Sequence, residues 1–261
     1  MLNPRIIPAL LIKNKGLVKS VNFSNYKYVG DPINAVKIFN EKKADEIIIL
    51  DIDATAKNNE PDYDLIAKLS NECKMPMCYG GGVKNVAQAE RILSLGVEKI
   101  AISSAIVKNP KLINSFSDSL GAQSVCVVLD VKKKLLFDGY GIYINNGKVN
   151  TGKDLFKFIN EIKNYNLGEI VINCIDLDGT MEGYNINLVE RVRKEINMPL
   201  TILGGAGSLA DIKKIIELNK VIGAAAGSLF VFKGIYRAVL INYLDNNYRD
   251  KIFKIASERK N

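Results

Sequence analysis

Two short acidic segments share a pattern: Leu50-Asp51-Ile52-Asp53-Ala54-Thr55 and Ile175-Asp176-Leu177-Asp178-Gly179-Thr180. Each closes an apolar run on a pair of aspartates and a threonine, a place where carboxylates can meet a substrate. The chain has no histidine, which removes the Ser-His-Asp triad, imidazole bases and histidine-ligated metals together. Proton transfer therefore falls to Asp, Glu, Lys, Tyr or Cys. Cys73, Cys78, Cys126 and Cys174 are scattered without a Cys-x-x-Cys pair, so no metal site or redox motif is expected, and no cofactor.

A second chemistry is written in glycine. Gly80, Gly81 and Gly82 are followed by Ser103 and Ser104, and Gly204, Gly205 and Gly207 are followed by Gly227 and Ser228. Glycines at strand ends let backbone N–H groups approach an anion, and the next helix adds the positive end of its dipole. Two such cradles imply a small substrate with a phosphate at each end.

The elements that must hold these residues alternate strictly. Apolar runs at 6–12, 47–52, 77–79, 100–103, 124–129, 170–175, 200–203 and 221–226 predict eight strands. Amphipathic stretches at 31–43, 64–73, 86–95 and 188–196 predict intervening helices. Strand and helix in alternation imply a parallel sheet. The two acidic segments, Met75-Pro76 with Met198-Pro199, Gly80-Gly81 with Gly204-Gly205, and Ser104 with Ser228 all repeat at a spacing of about 124 residues. Each copy carries four strand-helix units, so the expected fold is one (β/α)8 barrel over residues 1–261, built from two half-barrels. An open doubly wound sheet would leave the duplication without a reason.

Composition narrows the class. The 261 residues are 48% hydrophobic and 25% charged, as in a globular protein with a sizeable core. The net charge of +8 is spread through the helices without an aromatic-basic stripe, which favours a solvated surface or an anionic small substrate over nucleic acid. No apolar run reaches membrane-spanning length, and the first apolar stretch is too short for a signal core. A cytoplasmic protein is expected.

Read in order, Arg5-Ile6-Ile7-Pro8, Asn22-Phe23, Gly30-Asp31-Pro32, Gly80-Gly81-Gly82, Asn150-Thr151-Gly152, Asp178-Gly179-Thr180 and Gly204-Gly205-Ala206-Gly207 resemble the HisF family, the cyclase subunits of imidazole glycerol phosphate synthase. The resemblance implies a HisH-type glutaminase partner in a heterodimer, whose ammonia crosses the barrel. There it meets PRFAR, a bisphosphorylated ribulosyl aminoimidazole carboxamide, and yields imidazole glycerol phosphate and AICAR in histidine biosynthesis. It further implies phosphate contacts at Gly81, Gly82, Ser103, Ser104, Gly179, Gly204, Gly205, Gly227 and Ser228. An ammonia gate is implied at Arg5, Glu46, Lys99 and Glu169, where two cations can pair with two anions across a pore.

The family's catalytic pair is two aspartates at the ends of the first and fifth strands. Asp130 matches the second, but Leu11 occupies the first position. Asp51 and Asp178 match residues at the mouth, Asp53 is a candidate replacement carboxylate, and Lys19 matches a lysine on the loop after strand one. Ser103 and Leu203 replace the family's asparagine and serine. The first expectation is the synthase reaction. The alternative is a HisF-like paralogue that docks the glutaminase and relays ammonia to a separate amidotransferase, as in acetamidino-sugar formation for surface glycans. A hairpin at 138–147 is expected near the mouth, its exact placement left open.

Overall fold

The computed structural model describes residues 3–135, 138–219 and 221–258. Fourteen strands occur among them. In chain order they are β1 Arg5–Lys13, β2 Gly16–Val21, β3 Ser24–Gly30, β4 Ile47–Asp51, β5 Met77–Gly80, β6 Lys99–Ile102 and β7 Val125–Lys133. These are followed by β8 Tyr140–Ile144, β9 Val149–Asp154, β10 Glu169–Cys174, β11 Leu200–Leu203, β12 Gly223–Ala226, β13 Phe232–Lys233 and β14 Ala238–Val239. Eight of these, β1, β4, β5, β6, β7, β10, β11 and β12, pair in parallel around a ring, which the β7–β10 and β12–β1 pairings close. The fold is a (β/α)8 barrel, as the alternation and duplication predict.

Helices return each strand to the next. Pro32–Glu41, Tyr63–Glu72, Val86–Ser94 and Ile186–Glu195 lie within two residues of the periodic stretches read from sequence. Their starts are chemically marked. Asp31, Asp62, Asn85 and Asn185 each accept a backbone N–H from the first turn, so four otherwise unpaired helix N-termini are capped. Pro32 follows Asp31 at the first helical position, where its missing N–H costs nothing.

Two apolar layers form from the strand period of two. Outward residues such as Ile6, Leu10, Ile47, Ile49, Ile170 and Ile172 pack with the helices in one large buried cluster. Inward residues such as Ile7, Ile48, Cys78, Ala101, Cys126, Val171 and Ala225 form a second, smaller cluster down the barrel axis. A strand buried on both faces must be apolar throughout, and the predicted runs are therefore continuous rather than alternating.

Two additions sit on the C-terminal rim. After β1 the chain continues as an antiparallel hairpin, β2 and β3, laid back on β1 with Leu11 paired to Val18. After Asp130, β7 runs on into a meander with β8 and β9. This extension lengthens the predicted fifth strand from Leu129 to Lys133. The expected 138–147 hairpin is instead β8 with the β8–β9 turn, and that turn reaches across the mouth, where Asn146 Nδ2 donates to Ile52 O at 2.7 Å.

Candidate functional site

The base of the barrel is closed by a ring of charge. Arg5, Glu46, Lys99 and Glu169 open or immediately precede β1, β4, β6 and β10, and period-two alternation turns all four inward. Arg5 donates to Glu46 through Nη1 and to Glu169 Oε1 at 2.7 Å through Nη2. Lys99 Nζ bridges Glu46 Oε1 at 2.8 Å and Glu169 Oε2 at 3.0 Å. Each cation thus binds both anions.

Burial alone would raise the Glu169 carboxyl. The Arg5 hydrogen bond and charge, with Lys99 and the Thr201 hydroxyl behind them, instead hold it down at about 2. Burial likewise works against the charges on Arg5 and Lys99, and their carboxylate partners keep both above their ordinary values. Arg5, Lys99 and Glu169 are therefore charged near neutrality.

Thr201 is a fifth participant that sequence reading missed. It is fully buried on β11 and donates to Glu169 Oε1. A Cβ on neighbouring Gly223 would stand 1.8 Å from its hydroxyl oxygen, so the glycine leaves room for that contact. The available signal was a lone hydroxyl in the apolar run Leu200-Thr201-Ile202-Leu203.

Among the described residues, the lumen between the ring and Asp130 is lined by uncharged side chains. Ile7, Ile48, Ala101 and Val171 occupy the next inward positions on the four ring-bearing strands. The Cys126 thiol is raised well above its usual range by its hydrogen bond to Cys78 and by burial, so it stays neutral. An ammonium ion would be costly here, whereas neutral ammonia would lose only hydrogen bonds to water.

The lumen ends at Asp130. Its carboxylate is raised to about 7, first by burial and further by Asp178, against the lowering effect of the Asn173 amide. Asn173 Nδ2 donates to Asp130 Oδ1 at 3.0 Å. A carboxyl near 7 is populated in both protonation states at neutral pH, as a group used as acid and base must be. Across a small cavity of about 60 Å3 stands Leu11, with Lys19, Asp178 and Leu203 also on its walls. Asp178 is buried and accepts from the Ser20 hydroxyl at 2.9 Å.

Asp53 lines neither mouth cavity. Its Oδ2 accepts from Lys57 Nζ at 2.8 Å and from Asn14 N at 3.0 Å. Burial works to raise this carboxyl, but Lys57 and the Asn14 amide together bring it below its ordinary value. Asp51 caps the short helix Ile52–Ala56 through the N–H groups of Asp53 and Ala54, and burial is the main reason its carboxyl is raised. Asp176 is exposed and accepts from Lys133 N at 2.8 Å, a tie between neighbouring strand ends.

The two glycine cradles differ in access. Gly81, Gly82, Ser103 and Ser104 line an open cavity of about 480 Å3 together with Asp51, Asp130, Lys84 and Lys108. Ser103 Oγ is buried there without a hydrogen-bond partner. In the other half, Gly204, Gly205, Gly227 and Ser228 are buried and line neither mouth cavity. Ser228 Oγ is likewise without a partner.

The reason is the β2–β3 hairpin. Sequence reading put Lys19 on a loop; in the structure it lies on β2 and is only 3% exposed. Its ammonium sits 2.0 Å from where a Cβ on Gly227 would be. Backbone packing seals the same place, because a Cβ on Gly179 would stand 2.0 Å from Ser20 O. Gly179 meets this requirement with a left-handed φ of 74°.

Comparison with known proteins agrees with this architecture. Residues 5–236 match the family described as Histidine biosynthesis protein. A relative from Leptospira borgpetersenii, whose name gives subunit HisF of imidazole glycerol phosphate synthase as a provisional assignment, is 51% identical over 97% of this chain and 100% of its own length. A relative from Vibrio vulnificus (strain YJ016), provisionally named subunit hisF3 of that synthase, is 51% identical over 98% of both chains. The imidazole glycerol phosphate synthase subunit HisF of Clostridium botulinum (strain Okra / Type B1) is 38% identical over 94% of this chain and 96% of its own. With the barrel, the charged ring and these likenesses in hand, the chain belongs to the HisF family of imidazole glycerol phosphate synthase subunits.

Proposed function

We propose that this chain is the ammonia-conducting subunit of a glutamine amidotransferase. A HisH-type glutaminase docks at the Arg5 end, ammonia passes the charged ring, and it travels up the neutral lumen to emerge beside Asp130. The observation that carries this reading is the alignment along one axis of a four-charge gate, an uncharged lumen and a titratable carboxyl. The protein acts in the cytoplasm, and no helix among the described residues is long and apolar enough to cross a membrane.

Ammonia is relayed onward to a separate amidotransferase, such as one acting on an acetamido sugar. Leu11 supports this fate over cyclisation. It removes one half of the family's proton-transfer pair, and a leucine cannot accept or donate a proton. Asp53, the candidate replacement, is held by Lys57 and Asn14. Losing one general acid or base costs about 100- to 10,000-fold in rate.

A second reading, the synthase reaction on PRFAR, is favoured by the partnerless Ser103 and Ser228 hydroxyls in both phosphate cradles and by Asp130 itself. Asp130 would then serve alternately as acid and base. The two readings separate in one assay, in which the chain is given PRFAR and excess ammonium salt at alkaline pH and AICAR release is followed. Turnover abolished by Asp130→Asn establishes the synthase. No turnover by the natural chain, with a gain in Leu11→Asp, supports the relay. Mixing with a cognate glutaminase should give a one-to-one complex with faster glutamine hydrolysis, and absence of binding would count against both.

A further inference from the structure

We propose that Asn173 and Asp130 together form a seat for one molecule of neutral ammonia at the head of the lumen. This deepens the conducting role and rests on ammonia reaching that point. Asn173 and Asp130 are register partners on β10 and β7, so their side chains leave adjacent strands toward the axis at one level. The Asn173 amide nitrogen is committed to Asp130 Oδ1 at 3.0 Å. Its carbonyl oxygen, Oδ1, is buried and has no hydrogen-bond partner, in a residue only 4% exposed.

A buried acceptor without a donor is costly, and a ligand that supplies the donor recovers that cost. Asn173 and Asp130 both border the cavity of about 60 Å3, where a water-sized molecule, occupying roughly 30 Å3, has room. The required ligand is therefore small and rich in N–H or O–H donors.

Neutral ammonia meets these constraints. It has three N–H donors and one lone pair. One N–H satisfies Asn173 Oδ1, and a second reaches the Asp130 carboxylate. Leu11, Leu50 and Leu203 make part of the cavity wall apolar, and Lys19, Ser20 and Tyr26 supply its polar part. Lys19 borders the same cavity, as do Asp130 and Asp178, so the pH dependence of binding is what separates ammonia from ammonium.

The seat also gives the residue pattern a purpose. Asn173 is the single amide in the apolar run of β10, Glu169-Ile170-Val171-Ile172-Asn173-Cys174, and it faces inward two positions after Val171, above the uncharged part of the lumen. Ammonia leaving that apolar stretch would meet Asn173 Oδ1 before it met bulk water.

The test is nuclear magnetic resonance of the full chain titrated with 15N-labelled ammonium chloride, against potassium chloride at equal ionic strength. The Asn173 side-chain amide is assigned by its loss in Asn173→Leu. The expected result is a shift of that amide whose half-saturation follows free ammonia, so the total ammonium required falls by about tenfold for each unit of pH between 6.5 and 8.5. The Asp130 carboxyl carbon should respond in parallel in the natural chain and lose its response in Asn173→Leu. Because that variant could fail to fold, Asn173→Ser provides a second measurement and should weaken the Asp130 response severalfold. A response matched by potassium chloride, or one following total ammonium, overturns the seat. So does a silent Asn173 amide. Failure of the conducting role reads differently, because the seat would still fill from dissolved ammonia while ammonia released from glutamine would not reach it.

Discussion

The Lys19 ammonium lies against the α-carbon of Gly227, so that a Cβ on the glycine would stand 2.0 Å from Lys19 Nζ. Residues on opposite sides of the first strand thereby close the second glycine cradle. The β2–β3 hairpin is held down by this fit and by Ser20, which donates to Asp178 at 2.9 Å. A phosphate entering beside Ser228 would have to displace the lysine or bind it.

Gly227→Ala should lift Lys19 from its place. The lysine tip can move cheaply, but the new Cβ would also lie 3.1 Å from Ala9 O, so a stability loss of about 1–2 kcal/mol is expected. Amine-reactive labelling read by mass spectrometry checks the displacement. Lys19 should label slowly in the natural chain and several times faster in the variant. Equal rates would mean the hairpin is not held by this contact.

Asp130 should make the fold less stable as pH rises. Its folded value of about 7 is well above the ordinary value near 3.9. Its contribution is therefore intact below about pH 4 and is lost as pH rises through 7. The difference corresponds to roughly 4 kcal/mol at most. Asp130→Asn should show a shallower decline of urea-unfolding free energy between pH 5 and pH 8 than the natural chain. Parallel pH profiles would show that Asp130 titrates as an ordinary carboxyl.

Glu169 has the opposite sign. Its folded value of about 2 lies below the ordinary glutamate value near 4.3, so its contribution is present above about pH 4 and is lost as pH falls through 2. Glu169→Gln leaves Arg5 and Lys99 sharing Glu46, and breaking a buried pair in this way costs about 3–5 kcal/mol. Chemical denaturation should show most of that loss at pH 7 and much less at pH 2. Thr201→Val, which keeps the shape and removes one donor to Glu169, should cost about 1 kcal/mol and raise the Glu169 titration. A Glu169 carboxyl unmoved in Thr201→Val would sever the threonine from the ring.

Much of this architecture could be read from the residues. Strands buried on both faces announce themselves as continuous apolar runs, and helix starts by Asp31, Asp62, Asn85 and Asn185. A duplicated half is visible because matching glycines and aspartates recur at strand ends about 124 residues apart. Lys19 was harder, because its burial depends on a hairpin returning to Gly227, 208 positions away, and nothing local signals that contact. Thr201 and Asn173 are single polar residues in apolar strands, and sequence alone does not say whether such a residue faces a partner or a void. The direction of Asp53 was set by Lys57 one helical turn along and by the Asn14 backbone, again a matter of three-dimensional company.

Leu11→Asp is the sharpest probe of the mouth. The leucine is 8% exposed and shares its small cavity with Asp130, Asp178 and Lys19. A new carboxylate there loses apolar burial and faces like charge, so the variant should be destabilised by about 1–3 kcal/mol at pH 8. The penalty should shrink at pH 5, where one of the facing carboxyls can hold a proton. Leu11→Asn, similar in size but unable to ionise, should carry a penalty nearly independent of pH. Unfolding free energies of both variants at the two pH values check the argument. If the two profiles coincide, the Leu11 position does not communicate electrostatically with Asp130, and restoring a carboxylate there would not rebuild a proton-transfer pair.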